Sequence, residues 1–121
     1  MSNTLRNEIN ISGKIATEIT SLIEHGKLEL AMLRCNDLLD NTLTILNRWD
    51  NDLSTISKDN CLNAKNQLES LLGEISRLAA RGEEPAPKQL LTMQTSCRKI
   101  RDIFITEHAS VMKKIDEADN A

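Results

Sequence analysis

The sequence predicts an all-α protein, an antiparallel bundle of three to four long amphipathic helices, and three observations lead there. Apolar residues recur at steps of three and four through most of the 121 residues, the spacing that gathers them on one side of a helix. That rhythm breaks most clearly at Gly26 and in the run Arg81-Gly82-Glu83-Glu84-Pro85-Ala86-Pro87. One Trp, one Phe and no Tyr leave Leu, Ile, Ala and Met to fill the interior, which suits helix ridges better than a sheet.

The first helix is expected to start near Asn3 or Thr4, either of which can accept the free amides of a helix N-terminus. It directs Leu5, Ile9, Ile15, Ile19, Leu22 and Ile23 inward. Gly13, beside Ser12, weakens its first third, because a glycine inside a helix costs about 1 kcal/mol relative to alanine. Gly26 after His25 reads as a left-handed C-terminal cap, with the histidine near the negative end of the helix dipole.

The second helix resumes at once, and Leu28, Met32, Cys35, Leu39, Thr42, Leu46, Trp49, Leu53 and Ile56 form a heptad seam. Asp50-Asn51-Asp52 is its weakest stretch, so the helix is expected to stop after Trp49, with Leu53 and Ile56 on a connection. Ser57-Lys58-Asp59-Asn60 supplies stop and restart signals. Leu62, Leu68, Leu71, Leu72, Ile75, Leu78 and Ala79 form the face of helix three, which ends at Arg81-Gly82.

Pro85 and Pro87 then force extended backbone, while Pro87 suits the first position of a new helix. Helix four carries Leu90, Met93, Cys97, Ile100, Phe104, His108, Val111 and Ile115, with an extra four-residue step at His108 that relaxes any supercoil. Its acidic end, Asp116-Glu117-Ala118-Asp119-Asn120-Ala121, is expected to fray. The whole is one domain, residues 1–121, with a Gly/Pro hinge at 82–87. Short connections make successive helices antiparallel.

Composition narrows the function. A formal net charge of −3 gives no general attraction to phosphate backbones or anionic lipid, so neither nucleic acid nor membrane is an expected partner. Arg98-Lys99-Arg101, with Lys113 and Lys114, reads as a solvated helix face interrupted by Asp102 and Glu107. Cys35, Cys61 and Cys97 are odd in number and widely spaced, which fits buried reduced thiols and a cytoplasmic setting better than a disulfide framework. The first residues lack the basic start and unbroken apolar stretch of a signal peptide, and no window approaches a membrane span.

The chemistry of catalysis is missing from the pattern. His25 and His108 lack the Glu-x-x-His or Cys-x-x-Cys settings from which bundles build metal sites. His108 is followed by Ala109 and Ser110, with Lys113 late, which departs from a phosphotransfer acceptor helix, and the thiols have no sequence-adjacent base. A non-enzymatic protein without cofactor or metal is the expectation. Helix four carries more apolar surface than one seam uses, since Ile103, Ile105 and Met112 widen the face of Phe104 and Val111. Ile100, Phe104, Ile105, Val111 and Met112 are therefore the candidate partner-binding residues, at the spacing with which an amphipathic helix is held in a groove.

The stretch Leu22-Ile23-Glu24-His25-Gly26-Lys27-Leu28-Glu29-Leu30-Ala31, followed by Leu33-Arg34 and Leu38-Leu39, resembles the start of the bacterial flagellar export chaperones, particularly the filament-cap chaperone family. The resemblance implies a small cytoplasmic, helical, often dimeric chaperone that masks an amphipathic helix of a type III secretion or flagellar client. On that expectation the hinge at 82–87 lets helix four alternate between packing on its own bundle and packing on the partner. The competing expectation is a self-associating structural or regulatory bundle, a homodimer closed by the seams of helices two and four.

Overall fold

The computed structural model describes the backbone of residues 2–119 and the side chains of residues 4–117. Four helices follow one another: α1 (Ser2–Glu24), α2 (Leu28–Arg48), α3 (Thr55–Arg81) and α4 (Pro87–Asp119), with no strand among the described residues. Each packs beside its chain neighbours, and α4 returns to lie along α1, so the helices form an antiparallel square. The α1–α4 pair is the most extensive of the four seams and α3–α4 the thinnest.

The helix ends follow from local chemistry. Gly26 and Gly82 adopt φ of 71° and 62°, the left-handed conformation that costs glycine no Cβ clash. At the first, Gly26 N donates to Ile23 O and Lys27 N to Leu22 O; at the second, Gly82 N donates to Ala79 O and Glu83 N to Leu78 O. These are two Schellman caps, both at the expected residues. Pro87 opens α4, and Gln89 Oε1 accepts from the Ala86 amide at 3.0 Å, which secures a helix start whose alanine has no capping oxygen of its own.

The second connection differs from expectation. It spans residues 49–54, and α3 begins at Thr55 rather than in the 57–60 stretch. The reason is Ser54, whose hydroxyl accepts from the Ser57 amide at 3.1 Å and so caps the helix ahead of the polar run. Ile56 consequently sits on the first turn of α3, 73% exposed, while Leu53 folds back into the core from the connection.

One continuous apolar core runs through all four helices. Its lines are shifted from several expected positions. In α2 the buried residues are Leu28, Ala31, Cys35, Leu38, Thr42 and Ile45, so the seam is centred on 31, 38 and 45, leaving Met32, Leu39 and Leu46 half-buried at its margin. In α1, Ser12 and Ala16 are buried where Ile15 and Leu22 are only partly so, and the helix runs through Gly13 without a break. In α3, Cys61 and Ala64 take the inward positions and Leu62 points to solvent. Along α4 the buried line is Met93, Cys97, Ile100, Phe104, Glu107 and Val111, an unbroken heptad alternation that passes through Glu107 and leaves His108 half-buried beside it. The helix continues through Asp119, whereas the expected fraying at Asn120 and Ala121 lies outside the described residues.

Candidate functional site

The five partner-binding candidates on α4 separate into two populations. Ile100, Phe104 and Val111 belong to the core, because the helix turns these positions toward the other three helices rather than to solvent. In the closed bundle they are not available to a partner. Ile105 is 56% exposed, and Met112 is half-buried next to Arg6, whose Nη1 lies 3.9 Å from its sulfur.

Phe104 and Ile105 nevertheless mark a feature of the surface. A shallow groove of about 330 Å³ lies between α1 and α4, lined by Ile9, Asn10, Gly13, Lys14, Thr17, Phe104, Ile105 and His108. Gly13 shapes it: without a side chain, its turn of α1 leaves bare backbone beside α4, and a Cβ built there would stand 3.8 Å from Phe104 Cβ. Phe104, fully buried, forms the floor and Ile105 one wall. Lys14 and His108 are the two basic side chains in the lining, which contains no acid.

In the basic cluster of α4 the two arginines are engaged with acids. Arg98 approaches Glu24 of α1 at 3.8 Å and Arg101 holds Asp102 at 3.1 Å, while Lys99 lies with Asp102 in a groove toward α3. His25 is exposed, its Nδ1 2.7 Å from Ser21 O at the end of α1, a local helix-end contact.

All three thiols are buried and free. Burial pushes Cys35 up to about 12, with nearby Cys97 adding to it. Cys61 also rises to about 12, through burial and then the Glu107 carboxylate. Burial raises Cys97 to about 11, opposed by the Thr20 side chain and Arg98. Thiols held this far from ionisation are poor nucleophiles. Among the described residues no group of three or more His, Cys, Asp and Glu is placed to hold a metal ion. No helix among them is long and apolar enough to cross a membrane.

Sequence reasoning missed two polar sites. Glu8 is the hub of the first: its Oε2 accepts from Trp49 Nε1 at 2.5 Å, its Oε1 meets Arg48 at 3.2 Å, and its backbone carbonyl accepts from Asn41 Nδ2, which also donates to Ser12 Oγ. Glu107 is the second, 3% exposed between α3 and α4, with Oε1 accepting from Asn60 Nδ2 at 2.7 Å. Its Oε2 is buried and meets no donor among the described residues. The heptad count through 97, 100, 104 and 111 contains the signal for Glu107, since the omitted inward step falls on it. The chain matches no protein-family model, no curated protein and no solved structure.

Proposed function

We propose that this chain is a non-enzymatic helix-binding module, a chaperone or adaptor of the kind the flagellar-export resemblance implies. It takes an acid-bearing amphipathic helix of a secretion or flagellar partner into the groove between α1 and α4. The observation that carries the reading is the groove itself, with bare backbone at Gly13, an exposed apolar wall at Ile105 above the buried Phe104, and only basic ionisable groups in its lining. A partner helix would lay apolar anchors against Ile105 and set a carboxylate near Lys14 or His108. Docking there leaves the core closed, so Ile100 and Val111 stay buried and do not touch the client, and Met112 sits further along the same helix.

Photo-crosslinking from position 14 in cytoplasm of the native host tests this. The expected product is one exported protein joined through an acidic amphipathic segment, lost in Ile105→Asp and retained in Leu33→Asp, a change on the outer face of α2 where Leu33 is 57% exposed. Equal capture by both variants would sink the groove as the site. Self-association is the second reading, favoured by Leu30 and Leu33, exposed one turn apart on α2. The seams of α2 and α4 already close on the chain's own core, so a homodimer would use this outer face. Sedimentation showing a dimer that Leu33→Asp dissociates would select it.

A further inference from the structure

The heptad line of α4 places a carboxylate where the pattern calls for an apolar side chain. Glu107 stands one helical turn from both Phe104 and Val111 and is as buried as they are. One oxygen is held by Asn60 of α3, and the other meets no donor among the described residues. Burying a carboxylate with a single neutral partner is unfavourable relative to leaving it in water, and this cost falls on the thinnest of the four seams.

Its location matters as much as its burial. The α3–α4 hairpin is tied at residues 82–86, and Glu107 lies twenty residues into α4, ~30 Å along the helix from that tie. It therefore acts at the untied end. The outer lip of the seam is polar, a groove of about 360 Å³ lined by Asn60, Asn63, Gln67, Lys99, Asp102, Ile103 and Thr106, so water has a ready path to the carboxylate once the helices part. The opposite side of α4 is held by its more extensive contact with α1.

We propose that Glu107 is a built-in wedge: its half-satisfied carboxylate keeps the free end of the α3–α4 seam poised to open, exposing Glu107 and Cys61 while α1 and α4 stay together. The device is independent of the groove between α1 and α4 and stands or falls separately from it.

Cys61 is the natural reporter, because it lies on α3 beside Glu107, whereas Cys35 and Cys97 lie near each other elsewhere in the core. Native-state alkylation of the full chain with iodoacetamide, each thiol quantified by mass spectrometry, reads the opening of each location. In the unaltered protein Cys61 is expected to label at least ~10-fold faster than Cys35 and Cys97. Glu107→Leu and the near-isosteric Glu107→Gln should each slow Cys61 by ~10-fold or more toward the rate of the other two. Asn60→Ala should quicken it, since the carboxylate then loses its one donor. Removing the Glu107 charge also makes the neighbouring thiol easier to ionise, so slower labelling cannot come from altered thiol chemistry. Uniform labelling of the three thiols, or a Cys61 rate unchanged or raised in Glu107→Gln, overturns the proposal. Glu107→Gln preserves shape and an oxygen that accepts from Asn60 Nδ2, and so remains a test if the leucine variant fails to fold.

Discussion

Two glycines in helix-associated positions behave oppositely because their backbones differ. Gly13 lies inside α1 and is not among the positive-φ residues, and a methyl group there meets Phe104 at ordinary van der Waals distance. Gly13→Ala is expected to raise stability by about 0.5–1 kcal/mol in urea titration, mainly by restricting the unfolded chain. Gly26 has open space around its Cβ position, yet its φ of 71° penalises any side chain, so Gly26→Ala should lose about 1 kcal/mol. The thiols are governed by burial. Their ordinary value of 9.0 rises to about 11 to 12 in the fold, so the unfolded chain releases these protons first. The associated stability is complete below pH 9 and is lost as pH rises toward 11 to 12. The urea midpoint should fall between pH 8 and pH 10.5, and the fall should be smaller in Cys35→Ala than in the parent; parallel declines would assign alkaline loss to other groups.

At the scale of elements, α1 and α2 are joined by more than their apolar seam. Glu8 binds the indole of Trp49 and the guanidinium of Arg48, and Arg34 reaches Glu18 nearer the other end of the pair. The Arg34–Glu18 pair is exposed and adds little, whereas Glu8 is largely buried and Trp49 is 7% exposed. Glu8→Ala should therefore cost about 1–3 kcal/mol by leaving the indole N–H without an acceptor. Because Trp49 is the only tryptophan, its fluorescence should change in the native state of the variant, while Glu18→Ala leaves it untouched. Such contacts explain where sequence reading succeeded and where it stopped. Gly26, Gly82 and Pro87 are legible because each imposes its backbone conformation locally. The choice between Ala31 and Met32, or between Glu107 and His108, is not local: both members of each pair lie near the same helical face, and the neighbouring helix decides which one turns fully inward. Hydrophobicity pointed to Met32 and away from Glu107, and packing chose otherwise. The groove was legible through Phe104 and Ile105 but not through Gly13, which read as a weak point in α1 rather than as the place where α4 comes close.

For the whole molecule, a single core spanning four helices means that the helices lose their packing together when the chain unfolds. Far-ultraviolet circular dichroism reports all four helices and Trp49 fluorescence reports the α1–α2 corner, so in urea the two should give coincident midpoints. The same continuity sets what adjacent residues on α4 contribute. Phe104 is fully enclosed by the core, and Phe104→Ala removes a large side chain from a position the surrounding helices can only partly refill, at a cost of about 3–5 kcal/mol. Ile105, the next residue, is more than half in solvent, and Ile105→Ala should change stability by about 0.5 kcal/mol or less. If the groove receives a partner helix, the order reverses in binding: Ile105→Ala weakens capture while stability holds, because its wall is removed and its floor remains. A large loss of stability in Ile105→Ala would place that side chain in the core in solution and remove the wall on which docking between α1 and α4 depends.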